Sequence, residues 1–234
     1  MELQIAQARV RLGDEEAIHS IRAALFPARS EDLEATALAA QLTGELNDRA
    51  SARELVMLRW GLVPFWAKDP GIGNKMINAR AETAHEKPAF RNSFTKRRCL
   101  VVTDGFYEWK KEAEGKQPYW IHRPDGRPFA FAGLWSRWDG GKDGELAEGE
   151  EPLETFTILT CPALPELREV HHRMPVILAR EDQDGWLDPA NHDRDALAAM
   201  LRRPVGSGLE LRRVSRRVNS PANDTPDLLR EMTD

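Results

Sequence analysis

Alternation of apolar and polar residues, which is typical of half-buried strands, dominates this 234-residue chain from residue 54 onward. Segments rich in Val, Ile, Phe, Tyr and Trp are separated by Gly, Pro and Asp, as in strands joined by turns. The predicted strands are "ELVMLRWGLVP", "RRCLVVTDGFYEW", "QPYWIHR", "PFAFAGLW", "LETFTILT" and "LRRVSRRVNSP". "RPDGRP" predicts a tight turn between two of these strands.

Helical spacing of apolar residues is found towards the two ends of the chain. Residues 13–26 and 30–46 predict two N-terminal helices, the second with Ser30 as its N-cap. Residues 180–189 and 192–203 predict two short late helices. Because strands and helices do not alternate as βαβ units, we predict an α+β fold. Its core is a strand-rich mixed or antiparallel sheet, with helices at the periphery.

Composition indicates an ordinary soluble protein. The chain is 41% hydrophobic and 30% charged, and no apolar run approaches the roughly 20 residues of a membrane span. The first residues lack the basic and then apolar order of a secretory signal. Two cysteines suggest no disulfide framework and fit a reducing compartment. We therefore predict a cytoplasmic protein with no membrane partner.

The net charge of −5 hides a basic middle. Residues 59–111 contain 11 Lys and Arg against 5 Asp and Glu, a net charge of +6, whereas the remainder carries −11. The same stretch holds Trp60, Phe65, Trp66 and Trp109. Cations interleaved with aromatic rings are suited to phosphates and stacked bases. A solvated basic face over an ordinary aromatic core would have the same composition, so both interpretations stay open.

An acid inside an aromatic run is the strongest local candidate for chemistry. Glu108 lies between Phe106, Tyr107 and Trp109 in "VVTDGFYEWKK". In an apolar pocket its pKa would rise, which prepares a carboxyl for general acid/base catalysis. On an alternating strand it would instead point to water. The local window alone favours the exposed interpretation.

Several longer motifs then appear in a defined order. "RWGLVPFWAKDP" is followed by "NKMINARAET", "KPAFRNSF", "DGFYEW", "RMPVIL" and "VNSP". Together they resemble the SRAP family, the SOS response-associated peptidases, also described as abasic-site processing proteins. The resemblance runs from about residue 54 to residue 232. It implies a barrel-like SRAP domain at 54–234, preceded by a divergent helical segment at 1–53 within one compact unit.

The resemblance implies roles for four residues. Glu108 corresponds to the family's active-site acid/base, and His171 to a second proton-transfer group. Asn78 would orient groups around the abasic sugar, and Arg80 would hold a phosphate with its planar guanidinium. We predict that Glu108, Asn78 and His171 converge on one pocket with Arg80 at its rim. Without the resemblance, His171 would be interpreted as a surface loop histidine.

The implied partner is single-stranded or junction DNA that contains abasic sites. We predict further DNA contacts from Phe65 and Trp66 by stacking, and from Arg91 and Arg98 to phosphates. The histidines and cysteines lack metal-ligand spacings such as H-x-x-x-H or C-x-x-C, so we expect no metal and no other cofactor. We expect a monomer that associates with the nucleoid when bound to DNA.

The start of the chain departs from the family pattern. Family members begin in a manner similar to M-C-G-R-Y, and the terminal cysteine closes a stable thiazolidine on the abasic aldehyde. This sequence begins "MEL", and neither Cys99 nor Cys161 has a terminal amine. As written, the chain is expected to form at most a reversible imine that borohydride traps. His172 also stands where the family usually has Asp.

Three explanations of the altered start stay open. They are a misassigned start, a protein that binds DNA without crosslinking, and a segment 1–53 that serves a different partner. The family functions are DNA–protein crosslinking in the DNA-damage response and N-terminal self-processing as a peptidase. The alternative is a crosslink-dead module on the same scaffold that binds DNA or protein.

Overall fold

The computed structural model describes residues 7–8, 38–42, 53–141, 146, 149, 151–206, 208–220, 222–223 and 225–232. The strands are β1 (Gln7–Ala8), β2 (Leu38–Leu42), β3 (Arg53–Met57), β4 (Arg59–Trp60), β5 (Asn78–Arg80), β6 (Arg98–Thr103), β7 (Gly105–Glu112), β8 (Gly115–His122), β9 (Phe129–Trp138), β10 (Leu153–Pro162), β11 (Arg173–Pro175) and β12 (Glu210–Arg213). The α-helices are α1 (Arg91–Lys96), α2 (Arg180–Leu187) and α3 (Arg194–Leu201). Short 3-10 helices span Pro70–Lys75, Pro165–Leu167, Arg216–Asn219 and Pro226–Leu229.

Two sheets contain the described strands. The larger has the order β1-β3-β2-β6-β9-β10-β11, and β4 and β5 pair in parallel with β10. The smaller is antiparallel, in the order β12-β8-β7. The larger sheet curls into a half-barrel. The predicted α+β fold with a strand-rich mixed sheet is therefore confirmed.

Aromatic side chains join the two sheets and attach the helices. Phe106 of β7 packs edge-to-face on Phe131 of β9, with ring centroids 5.6 Å apart. Phe94 of α1 makes a similar contact with Trp186 of α2 at 5.9 Å, and the Trp186 indole donates to the Cys99 carbonyl at 3.0 Å. The helices thus lie at the periphery, as predicted. In the described part of the chain, no helix is long and apolar enough to cross a membrane.

The N-terminal segment contributes strands to the sheet. The helix predicted over 30–46 is wrong at β2, where Ala40 lies opposite Leu55 of β3 and Leu100 of β6. Alternate residues of β2 are Leu, Ala and Leu, so the segment also has the period of a strand. Partners on both sides satisfy its backbone groups, and this pairing overrides the helical preference of Ala and Leu.

Other N-terminal predictions have different outcomes. The helix predicted over 13–26 lies outside the described residues. The boundary between a segment 1–53 and a domain 54–234 stays a prediction. Near the C-terminus, the predicted final strand is confirmed for β12, after which the chain turns into the 3-10 helix Arg216–Asn219.

Strand β10 brings the most distinctive motifs together. On one edge it runs parallel to β5, with Thr160 level with Arg80. On its other edge, β10 first pairs antiparallel with β9. Further along the same edge it pairs antiparallel with β11, where Pro162 lies opposite Arg173. The "INARAET" and "RMPVIL" segments therefore flank one strand, although nearly a hundred residues separate them in sequence.

Candidate functional site

The "DGFYEW" motif fixes strand β7 against β8. A Cβ atom on Gly105 would lie 2.3 Å from the Trp120 ring, so glycine is required for this close approach. Tyr107, two residues later on the same face of β7, packs on the Trp120 ring, and the centroids of the two rings are 4.9 Å apart. At the end of the motif, the Trp109 indole donates to the Asn219 side chain at 2.8 Å. These contacts leave Glu108 pointing to the opposite face.

Glu108 faces inward on the same side of β7 as Phe106. Only 25% of its side chain is exposed. Burial raises the pKa of the Glu108 carboxyl, while the charge of His171 and the Trp109 backbone N–H act in the opposite direction. Glu108 is therefore not the solvent-facing acid that its local window favours. It is a desolvated carboxyl that retains its proton more readily than an exposed glutamate.

His171 lies next to this carboxyl. Its Nδ1 is 3.7 Å from Glu108 Oε1 and 2.9 Å from the Arg173 carbonyl oxygen. Lys110, on the same face of β7 as Glu108, contacts Glu169 at 2.8 Å, so two parallel contacts join β7 to this loop. About 40% of the His171 side chain is exposed. The pair consequently combines a sheltered acid with a histidine that reaches solvent, an arrangement suited to proton transfer.

Asn78 and Arg80 lie on an open surface. In β5 they alternate with the buried Ala79, and both face solvent. They line a groove of about 460 Å³ together with Trp66. The complete lining is Trp66, Asn78, Ala79, Arg80, Thr83, Lys87, Pro88, Ala89 and Phe90.

Six of the lining residues were not predicted from the sequence, and three of these, Thr83, Lys87 and Phe90, carry a polar, a charged or an aromatic side chain. They lie within "INARAET" and "KPAFRNSF", so the motifs contained a signal for them. No local pattern separates these side chains from their neighbours. They combine a hydroxyl, a cation and an aromatic ring, and so continue the chemistry of Arg80 and Trp66 along the groove.

The backbone beside Trp66 is held in place. The N–H of Ala67 donates to the Pro64 carbonyl at 2.9 Å, and the Ala67 carbonyl accepts from the Trp138 indole at 2.7 Å. Ala67 is buried, whereas Trp66 and Phe65 are exposed. The turn therefore presents two aromatic rings to solvent. Such exposure of large apolar side chains is typical of a binding surface.

Arg173 connects the groove to the Glu108–His171 pair. Its guanidinium makes two hydrogen bonds to the Glu82 carboxylate, at 2.9 and 3.0 Å, and one to Thr160 Oγ1 at 3.2 Å. The Arg173 hydrogen bond lowers the pKa of the Glu82 carboxyl. Thr160 is level with Arg80 in the sheet, and the Arg173 carbonyl contacts His171. One arginine thus ties "INARAET" to "RMPVIL".

The residues predicted as the site fall into two groups. Glu108 and His171 meet each other, as predicted, and Asn78 and Arg80 line the groove with Trp66. Direct contact of Asn78 with the Glu108–His171 pair stays a prediction. The structure connects the two groups through β10 and Arg173.

Arg98 corrects the predicted DNA surface. It is buried, and its guanidinium donates to five backbone carbonyls, of Trp186, Phe94, Thr95, Asp188 and Asn191. A side chain with its donors used in this way has none left for a phosphate. The prediction that Arg98 contacts DNA is therefore wrong, and Arg98 instead joins β6 to the end of α2. Arg91 is exposed at the start of α1, and its DNA contact stays a prediction.

The two cysteines are internal. Cys99 and Cys161 are both buried and unpaired. Burial raises the pKa of the Cys161 thiol to about 11, and it raises the pKa of Cys99 further. Neither thiol is therefore an ionised nucleophile at neutral pH. Among the described residues, no group of three His, Cys, Asp or Glu side chains is placed to hold a metal ion.

Comparison with other proteins agrees with this arrangement. The family model described as "SOS response associated peptidase (SRAP)" matches residues 14–221, which begins within the segment that sequence alone called divergent. The abasic site processing protein YoqW of Bacillus subtilis (strain 168) is 44% identical over 185 residues, 79% of each chain. The abasic site processing protein HMCES of Gallus gallus is 37% identical over 204 residues, which cover 77% of this chain and 58% of that one.

A solved structure extends the likeness to the fold. An X-ray crystal structure of a protein from Bacteroides thetaiotaomicron superposes with a TM-score of 0.67 at 31% sequence identity. It covers 76% of this chain and 77% of that one. The family match over most of the chain, the identity to YoqW and the shared fold lead to one conclusion. This chain belongs to the SOS response associated peptidase (SRAP) family.

Proposed function

We propose that this protein binds single-stranded DNA at abasic sites and that Glu108 and His171 move protons during imine chemistry there. The observation that carries the proposal is the half-buried Glu108 carboxyl, 3.7 Å from His171 and connected through Arg173 to a basic and aromatic groove. The names of the relatives, abasic site processing proteins, support the same substrate. The groove and the pair lie in one chain, so a monomer is sufficient.

The groove would bind the DNA strand. Arg80 and Lys87 offer cations to phosphates, and Trp66 and Phe90 offer rings to bases or to the exposed sugar. An abasic site has no base to fill this space, so the strand can lie close to Asn78. The amide of Asn78 can both donate and accept hydrogen bonds, which suits the hydroxyls of a ring-opened sugar.

The pair would supply acid and base. A primary amine that adds to the open-chain aldehyde forms a C–N bond and leaves a hydroxyl on the same carbon. Departure of that hydroxyl as water requires a proton, which neutral Glu108 donates, and the nitrogen lone pair closes the C=N bond of a protonated imine. Loss of the nitrogen proton to solvent then gives the neutral imine. His171 returns a proton to Glu108 from solvent. As the resemblance to the SRAP family implies, the attacking amine is the chain's own N-terminal amine.

Borohydride trapping tests this proposal. The protein is incubated with an oligonucleotide carrying a natural abasic site, with and without borohydride, and run on a denaturing gel. We expect a shifted band with borohydride, and none with an abasic analogue that lacks the aldehyde. Anisotropy with both oligonucleotides and with an intact strand, at several salt concentrations, measures binding separately. Arg80→Ala should weaken binding of both, because it removes one phosphate contact.

The two measurements separate the possible failures. Binding without a trapped adduct would contradict the imine chemistry and leave a DNA-binding module. Equal affinity for intact and abasic strands would contradict selection of the abasic site. Affinity that does not change with salt would contradict the groove as the phosphate-binding surface.

A further inference from the structure

Strand β7 carries charged side chains at alternate positions of the face that includes Glu108. Lys110 follows on this face, and its Nζ atom donates to the Glu169 carboxylate at 2.8 Å. Glu112 is next, and its carboxylate accepts from Arg213 of β12 at 3.2 Å. The proposed chemistry uses only Glu108 of this row. Lys110 and Glu169 take no part in it, although their contact lies beside the reacting pair.

The Lys110–Glu169 contact runs alongside the Glu108–His171 contact. Lys110 lies two residues after Glu108 in β7. Glu169 lies two residues before His171 in loop 163–172, between β10 and β11. The 3.7 Å from Glu108 Oε1 to His171 Nδ1 is too long for a hydrogen bond that would hold the two groups together. The 2.8 Å contact beside it is a charge-assisted hydrogen bond, the stronger kind, and attaches the loop to β7.

Hydrogen bonds within loop 163–172 give it a defined backbone. The N–H groups of Val170 and His171 both donate to the Leu167 carbonyl at 3.0 Å. At the two ends of the loop, the Ala163 N–H donates to the His172 carbonyl at 3.0 Å. Because these bonds join loop residues to one another, the loop keeps its shape as a unit. Its position against β7 is left to contacts between the two elements, such as the lysine–glutamate hydrogen bond.

The charges of this contact act on each other. The hydrogen bond to Glu169 raises the pKa of Lys110, so the ammonium group stays charged at neutral pH. Burial raises the pKa of Glu108, and the charge that opposes this rise is that of His171. The ammonium of Lys110 is thus engaged by its own partner. These contacts favour a role of Lys110 in the position of the loop over a direct electrostatic effect on the acid.

We infer that the Lys110–Glu169 hydrogen bond holds the loop on β7 and so keeps His171 within reach of the β7 carboxyl. Lys110 and Glu169 are positioning residues, since they act through His171. The inference rests on the proposed function, because it concerns proton transfer within the pair. A catalytic group displaced by about 1 Å can cost about 100-fold in rate, so each departure of the loop from β7 interrupts the transfer.

A double-mutant cycle tests the inference. Lys110→Met keeps an unbranched apolar stem and removes the charge, and Glu169→Gln removes the charge of the partner. The cycle adds the variant with both changes and the swapped pair Lys110→Glu/Glu169→Lys. Lys111→Met is the control, because Lys111 is an exposed lysine on the opposite face of β7. Single-turnover gels measure the rate of borohydride-trapped adduct formation at saturating abasic DNA, and anisotropy measures affinity.

We expect each single variant to lower the adduct rate by about two- to fivefold, the range that an exposed ion pair supports. The double variant should be no slower than either single variant, because both lose the same contact. The swapped pair should recover most of the wild-type rate, and Lys111→Met should keep it. Thermal midpoints should all stay near the wild-type value, since both side chains reach solvent.

Hydrogen exchange measures the loop in the absence of DNA. The N–H groups of Val170 and His171, which donate to Leu167, should exchange about two- to fivefold faster in each single variant. The reason is that a loop detached from β7 opens more often. Exchange in the swapped pair and in Lys111→Met should match that of the wild type.

Several outcomes would overturn the inference. Rates that change in opposite directions in Lys110→Met and Glu169→Gln would show an effect of net charge on DNA instead of on position. Losses that add in the double variant would show separate roles for the two residues. Unchanged rates, or slower rates without faster exchange, would show that the contact does not position the loop. Failure of the proposed function would look different, because the wild type itself would form no adduct, while exchange would still show whether the contact holds the loop.

Discussion

The Glu108–His171 pair and the Trp66 groove have opposite physical characters, although Arg173 connects them. Glu108 is half-buried, and loss of water raises its pKa. The Trp66 and Arg80 side chains face solvent, where salt screens the charge of Arg80. The contrast suggests that the protein separates chemistry from binding. Desolvation tunes an acid in one region, and the other stays accessible to a long polyanion.

The largest expected effect comes from a variant that changes the Glu108–His171 pair and leaves the groove intact. Glu108→Gln keeps the shape of the side chain but removes its titrating proton. We expect the rate of borohydride-trapped adduct formation on abasic DNA to fall about 100- to 10,000-fold, the usual contribution of a general acid. DNA affinity should stay within about twofold, because the groove side chains are unchanged. Single-turnover gel assays measure the rate, and anisotropy measures the affinity.

Glu114→Gln is the matched control for this variant. Glu114 is an exposed acid in the turn between β7 and β8, so Glu114→Gln makes the same chemical replacement at a solvent-facing position. We expect neither rate nor affinity to change. If Glu108→Gln lowered affinity as much as rate, the pair and the groove would be one functional unit and the contrast would fail.

A second pair of variants separates a buried, structural arginine of the basic middle from an exposed one. Arg98→Ala should lower the free energy of unfolding by about 3 kcal/mol or more, because five carbonyl oxygens lose a charged donor in the interior. Arg91→Ala, at an exposed position seven residues earlier, should change it by less than about 0.5 kcal/mol. Urea unfolding measures both. A wild-type midpoint for Arg98→Ala would contradict its structural role.

Trp66→Ala sharpens the contrast from the side of the groove. Loss of one stacking platform should weaken binding of single-stranded DNA by about 1–3 kcal/mol. The adduct rate at saturating DNA should remain that of the wild type, because the Glu108–His171 pair is unchanged. Val205→Ala, which shortens another exposed apolar side chain, serves as the control. Equal losses in both variants would mean that stacking on Trp66 contributes nothing specific.

The smallest expected effect is on the pH dependence of stability. Burial raises the pKa of Glu108 in the folded state, so the folded protein holds that proton more tightly than the unfolded chain. The protonated carboxyl contributes its full stabilisation below about pH 4.3, which is its pKa in the unfolded chain. This contribution is lost as the pH rises through the pKa of Glu108 in the folded protein. Wild type should therefore lose stability relative to Glu108→Gln over that window. Urea midpoints across pH measure the difference, and the opposite trend would show a stabilised carboxylate.

Sequence reasoning succeeded where the pattern of one segment decides its structure. Strands β8 to β10 and helices α2 and α3 follow from alternation, turn residues and helical spacing, whereas the single strand predicted over residues 97–109 is divided at Asp104 into β6 and β7. The prediction failed at β2, whose Leu and Ala residues fit both a helix and a strand. There the choice depends on partners from β3 and β6, which no local window contains.

Prediction of the site from the sequence has the same limit. The local window favours an exposed Glu108, because the side of a strand that faces the interior depends on the second sheet. Arg98 looked like a phosphate ligand within a basic run, yet three of its five hydrogen-bond partners are 88 to 93 residues away. The motifs made Asn78, Arg80 and His171 candidate site residues, but the way in which Arg173 connects their strands and loops is visible only in the fold.

The central position of β10 has a consequence for biosynthesis. Residues 153–162 complete the pairing of strands that begin at residues 59 and 78, so a growing chain must wait for β10 before β4 and β5 have their partner. The long chain segments between these strands must close before any of the contacts form. Such pairing is therefore slow. During that interval, the aromatic and charged residues of segment 59–111 have left the ribosome, but the sheet on which they pack has not yet formed. Translation speed between residues 80 and 160, and chaperones that cover exposed aromatic residues, should therefore influence the yield of folded protein.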